Sequence, residues 1–165
     1  MQRGRGEGDG GSRRDRLIQD ARHDTYRSRR KPPEPARCPG CGAVFRDGRW
    51  QWIEDSTAVP VPLCPACQRI EDGYPAGFVT LSGEFLQEHR DEILALAHNV
   101  EARERGEHPL KRIMEVQDRG GEILITTTDL HLARSIGDSL YHAYAGELDY
   151  QYTKGADSLR VTWKR

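Results

Sequence analysis

Two cysteine pairs constrain this chain more than any other feature: Cys38-Pro39-Gly40-Cys41-Gly42 and Cys64-Pro65-Ala66-Cys67, with 22 residues between them. They hold all 4 cysteines of the 165-residue sequence within thirty consecutive positions. Two residues between paired cysteines let both thiolates of one tight turn point at a single ion. The proline shapes the turn, and the small residue lets backbone N–H groups approach the sulfurs. Two such turns brought together make a tetrahedral four-sulfur site, the closed geometry of structural zinc. Cys38, Cys41, Cys64 and Cys67 are therefore the expected metal ligands, with Zn²⁺ as the expected occupant and iron as the alternative. The gap exceeds the usual spacing by a few residues, so one connecting hairpin is enlarged. Paired CxxC spacing without a secretion signal reads as metal binding before it reads as disulfides.

The first 37 residues differ in character from the rest. They carry eleven Arg/Lys against six Asp/Glu, which leaves fourteen against twenty for residues 38–165. The apolar residues there are Met1, Leu17, Ile18, Ala21, Tyr26 and Ala36, and Lys31-Pro32-Pro33-Glu34-Pro35 closes the stretch. So little apolar surface cannot offset the entropy of ordering, and residues 1–37 read as a disordered Arg/Gly-rich tail. It has no apolar h-region, and no run elsewhere is long enough to span a bilayer. A cytoplasmic protein with no membrane association is the expectation. Because the body is acidic, any broad attraction to phosphate falls to Arg13, Arg14, Arg29, Arg30 and Lys31 of the tail.

Residues 38–80 read as a zinc ribbon. Between the cysteine pairs, Val44, Phe45, Trp50, Trp52 and Ile53 flank Asp47-Gly48, a hairpin signal. Trp50 and Trp52 are expected to form the miniature core that such a ribbon needs, in preference to a base-stacking platform. Prolines at 60, 62 and 65 keep the next run extended but outside a central strand. Asp72 to Gly77 reads as an irregular turn-rich loop. Residues 81–109 read as a helix and linker, because Phe85, His89, Ile93, Leu96 and Val100 recur at helical spacing from about Ser82 to Gly106.

Residues 110–165 carry a ββαββ pattern. Ile113–Asp118 and Glu122–Thr127 flank Arg119-Gly120-Gly121, and Thr126 to Asp129 supply caps for a helix running to about Ala145. Leu148, Tyr150 and Tyr152 alternate along one strand, and Leu159, Val161 and Trp163 along the last. The expected fold class is thus α+β: an N-terminal zinc ribbon, an amphipathic helix, and an antiparallel ββαββ module. Tyr150, Tyr152 and Trp163 are expected beneath the helix. Asp149, Gln151, Arg160, Thr162 and Lys164 are expected on an open polar face, where Arg160 and Lys164 are candidate contacts for RNA or another partner.

Enzymatic chemistry finds no strong motif. His131, Ser135, Asp138 and His142 form a polar stripe along the last helix, which reads as its solvated face. Walker, GxSxG and HExxH motifs are absent from the sequence. A four-thiolate zinc has no open position for water, so a binding protein is expected and not an enzyme.

The stretch Cys64-Pro65-Ala66-Cys67-Gln68-Arg69-Ile70-Glu71, then a helix, then GEILITTTDLHLARSIGDSL and a strand pair, resembles the zinc-ribbon region of the nonsense-mediated-decay-protein-three family. Members of that family are large-ribosomal-subunit adaptors. They carry four CxxC pairs and longer C-terminal domains, whereas this chain has two pairs, so it looks like a short stand-alone relative. The resemblance implies association with ribosomal RNA or a ribosomal subunit. CPGCG and CPAC also resemble the iron-binding turns of rubredoxins, although Gln68 stands where those have glycine. That likeness implies electron transfer. A zinc-stabilised adaptor that binds a protein and no RNA is the third reading.

Overall fold

The structure, a computed structural model, describes Tyr26, residues 31–155 and residues 157–165. Among these residues it is an α+β arrangement of two mixed sheets and four helices. The cysteines lie beside the smaller sheet, in the connection between its first two strands and at the start of the helix that follows it. The strands of this sheet, β1 (Ala36–Arg37), β2 (Val44–Arg46), β3 (Arg49–Gln51) and β4 (Val59–Pro60), lie in the order β3-β2-β1-β4. The β2–β3 hairpin turns at Asp47 and Gly48, where φ is 54° and 76°. Two consecutive positive φ values give the primed turn whose twist matches the flanking strands. The Glu34 carboxylate clamps this turn, accepting from the N–H groups of Asp47 and Gly48, each at 3.1 Å. Strand β1 thus falls inside the stretch that composition assigns to a disordered tail. Ala36 is fully buried and pairs with Phe45, so the ordered body begins upstream of the first cysteine.

The second cysteine pair opens helix α1 (Pro65–Asp72), which contains Cys67, and is not a turn alone. Cys64 is its N-cap, Pro65 occupies the first turn where no N–H is needed, and Gly73 ends it in the left-handed region at φ 62°.

The larger sheet corrects the expected antiparallel ββαββ module. Strand β5 (Gly77–Ser82), a stretch to which local signals gave no element, runs through its centre. With β6 (Ile113–Asp118), β7 (Ile123–Thr127), β8 (Glu147–Thr153) and β9 (Ser158–Lys164), the order is β6-β7-β5-β9-β8. β5 pairs antiparallel with β7 and parallel with β9, so it separates the two hairpins and makes the sheet mixed.

The helix expected from Ser82 is two helices, α2 (Glu84–Glu88) and α3 (Arg90–Glu107), divided at His89 (φ −121°, ψ 23°). The apolar spacing stays in phase across the break, which is why periodicity alone reads it as continuous. The His89 ring stacks on Phe85 at 4.1 Å. Helix α4 (Leu130–Tyr144) is capped by Asp129, whose carboxylate accepts from Leu132 N–H at 3.0 Å. Helices α3 and α4 cover one face of the sheet. The core there joins Val79, Leu81, Ile93, Ile123, Ile125, Ile136, Leu140, Leu159, Val161 and Trp163, all 1% exposed or less. Tyr152 is a further correction: it stands 58% exposed at the sheet edge, beyond the reach of α4. Among the described residues no helix is long and apolar enough to cross a membrane.

Candidate metal centre

The two cysteine pairs reach one point by different routes. Around Cys38 and Cys41 the backbone closes on itself: Cys38 N–H donates to Ala43 O and Gly42 N–H to Cys38 O, both at 2.9 Å. Gly42, at φ 80°, lets the chain leave that turn. Gly40 is held small by contact, since a Cβ there would stand 3.0 Å from both Cys67 Sγ and Leu63 Cδ2. Cys64 and Cys67 instead sit at the N-terminus of α1, where unpaired N–H groups and the helix dipole favour negative charge on sulfur. Cys67 N–H points at Cys64 Sγ at 3.4 Å, and Cys64 N–H at Cys38 Sγ at 3.2 Å.

The four Sγ atoms lie within 4.8 Å of one another. A tetrahedron with Zn–S bonds of about 2.3 Å has edges of about 3.8 Å. The Cys41–Cys64 Sγ separation is 3.8 Å. Four soft donors at that spacing can hold a metal ion. Cys38 and Cys64 are fully buried, while Cys41 and Cys67 are half-buried. Trp50, Leu63 and Leu110 pack around them.

Burial raises the Cys38 thiol, but N–H groups of Cys64, Cys41 and Gly40 aimed at its sulfur outweigh that, and its pKa falls to about 7. Burial pushes the Cys64 thiol up, and negative charge on the three neighbouring sulfurs pushes it further. Burial likewise raises Cys67, against the pull of Arg112. Four thiolates thus resist one another in this space until a cation joins them.

Arg112 is the site residue that sequence reasoning missed. It is 5% exposed, although it belongs to the segment leading into β6 of the other sheet. One guanidinium nitrogen donates to Cys67 Sγ at 3.1 Å and another approaches Cys64 Sγ at 3.6 Å. The third, Nε, donates to Pro109 O at 2.9 Å. Burial works against its charge, but the thiolates outweigh it and hold the guanidinium firmly protonated. Thr128 fixes its backbone: Arg112 N–H donates to Thr128 Oγ1 at 2.9 Å, and Thr128 N–H returns to Arg112 O at 2.9 Å. Four thiolates around a divalent ion leave a double negative charge, which this cation halves. No spacing rule links Arg112 to cysteines 45 and 48 positions away.

The remaining candidates lie elsewhere. Arg13, Arg14, Arg29 and Arg30 fall outside the described residues. Lys31 is exposed and lines an open cleft of about 980 Å³ together with Arg49, Trp50, Leu63 and His108. Arg160 and Lys164 are exposed on the helix-free face of β9, with the Arg160 guanidinium 4.4 Å above the Phe78 ring. Trp50 packs on the cysteine cluster as expected of a small core. Trp52 does not: it is 40% exposed, its indole N–H donates to Arg105 O at 2.7 Å, and the Arg105 guanidinium lies 5.7 Å above its ring. Within the α4 stripe, Asp138 accepts from the Tyr150 hydroxyl, and its carbonyl meets His142 Nδ1 at 2.8 Å. No protein-family model, no curated protein and no solved structure matches this chain, so the sulfur cluster itself carries the functional argument.

Proposed function

We propose that this chain is a non-catalytic zinc-ribbon protein that associates with ribosomal RNA or a ribosomal subunit. The observation that carries the zinc part is the set of four sulfurs within 4.8 Å, roofed by Arg112. Cys38, Cys41, Cys64 and Cys67 would fill all four positions of a tetrahedral ion, which leaves none for substrate or water. The ion's contribution is structural: it neutralises thiolates that the fold presses together. The RNA part is supported by the resemblance of the cysteine-bearing segment to ribosomal-subunit adaptors. Cations at Lys31, Arg160 and Lys164, and in the Arg-rich N-terminal segment, would supply phosphate contacts.

Two measurements test the two parts separately. Metal analysis of the purified chain is expected to return one zinc per chain in a colourless protein. A red protein with a sulfur-to-iron charge-transfer band would replace zinc with iron and favour the electron carrier. Sedimentation with ribosomal subunits is expected to show co-migration at low salt that weakens as salt rises. Absence from every ribosomal fraction at low salt would remove the RNA part. Nuclease-resistant capture of one protein partner would favour the adaptor reading.

A further inference from the structure

We infer that the outer edge of β8 is a homodimer interface, on which a second copy of this chain extends the five-stranded sheet through antiparallel β8–β8 pairing about a twofold axis. The two edges of this sheet differ. At the β6 edge a register shift between Ile113 and Glu115 interrupts the ladder, and Ile113 N–H is already taken by Glu101 at 2.8 Å. The Arg90–Asp118 ion pair, at 2.6 Å, and the Arg119–Gln117 contact flank that strand's far end. Bulges, charges and side-chain contacts are the devices that keep an edge from pairing. The β8 edge has no such shift, and the charges it carries, Glu147 and Asp149, are both acidic. It runs seven residues in unbroken register with β9, and among the described residues nothing pairs with its outer side.

Exposed aromatic surface gathers at this same edge. Leu148, Tyr150 and Tyr152 share the helix-covered face, opposite Trp163, Val161 and Leu159 of β9. Tyr152 is 58% exposed there, and Tyr141, one turn beyond Asp138 on α4, is 49% exposed. The Arg134 guanidinium lies 5.2 Å above the half-buried Tyr150 ring, on the same side. Aromatic surface thus lies beside backbone N–H and C=O groups that no described residue pairs with. That is the composition of a strand-addition surface.

The sequence of β8 also selects a register for a second copy. A twofold axis normal to the sheet keeps both sets of helices on one side, so directly opposed residues must share a face. The strand Glu147–Thr153 has its midpoint at Tyr150. Pairing centred there opposes Tyr150 to itself, Leu148 to Tyr152, Asp149 to Gln151 and Glu147 to Thr153. All seven residues are matched, no like charges face each other, and the exposed Tyr152 is covered by Leu148 of the second copy. A shift that centres the pair on Asp149 would oppose two carboxylates and shorten the overlap. Centring on Gln151 opposes no like charges but cuts the overlap to residues 149–153, so Tyr150 is the centre that matches the whole strand.

Sedimentation of the zinc-replete full chain at low salt over a concentration series tests this. The expected result is a concentration-dependent species of about 37 kDa, twice the 18.7 kDa chain mass. Gln151→Glu places a carboxylate opposite Asp149 twice per dimer and is expected to weaken association about threefold or more. Gln151→Lys should strengthen it by a similar factor. Within one chain residue 151 faces Arg160, so Glu favours the monomer fold and Lys disfavours it. The dimerisation and stability effects therefore run in opposite directions, and urea unfolding of each variant separates them. A monomer at every concentration into the millimolar range would overturn the inference. So would association that ignores residue 151 or follows the reverse order.

Discussion

Arg112 shows how much of a metal centre a cysteine pattern leaves out. The four sulfurs of the candidate site are legible because turn geometry ties each pair together locally. The guanidinium that screens them arrives from the other sheet, held by Thr128 and Pro109, and no local rule anticipates it. Its two contacts go to the pair at the N-terminus of α1, where sulfur already receives N–H groups. Arg112→Met, which keeps most of the apolar stem, should weaken metal retention by about 10- to 100-fold in a chelator competition. Arg112→Lys keeps the charge, loses the fork, and should fall between the two. Equal retention in all three proteins would reduce the residue to packing. Tyr152 marks a different limit of sequence reading. Its position in the alternation is right for the covered face, but α4 does not extend over the sheet edge, so alternation alone overstates burial.

The elements that were legible are those whose partners lie nearby in sequence. The β2–β3 hairpin follows from Asp47-Gly48 between apolar residues, and α4 from its capping Asp129 and its apolar stripe. Strand β5 lies between Pro75 and Gly83 and owes its place to β7 and β9, which local signals do not reach. In α1 the helix-start signals, Cys64 as cap and Pro65 in the first turn, coincide with the metal-binding turn that overshadows them. Gly77 at the head of β5 gives the central strand a direct test. A Cβ there would overlap Thr127 Oγ1 and stand 2.6 Å from Ala133 Cβ, where β7 and α4 crowd the backbone. Gly77→Ala should lower stability by about 1–3 kcal/mol in urea unfolding while leaving metal content unchanged. A neutral result would mean that β5 is less tightly wedged between α4 and β7 than described.

Across the whole molecule there are two cores with no residue in common, one around the cysteines and one under α3 and α4. Arg112, Leu110 and the Trp52–Arg105 contact join them. Metal binding supplies on the order of 10 kcal/mol to modules of this kind. Its removal should therefore act unevenly. After chelation, amide exchange is expected to rise sharply over residues 36–67, while β5, β7, β9 and α4 keep their protection. Loss of protection throughout would mean that the larger sheet depends on the metal as well. The larger sheet carries a further consequence in the pairing of β5 with β9, where Val79 sits beside Val161, about half the chain away. The backbone seals this join, with Arg165 N–H reaching Ser82 O at 3.2 Å and Phe85 N–H reaching Arg165 O at 2.9 Å. During synthesis β5 emerges first among the five strands and completes its bonding last. A nascent chain that has not reached β9 presents a bare, apolar central edge, so the time spent translating the intervening residues is time in which this sheet is open to the wrong partner.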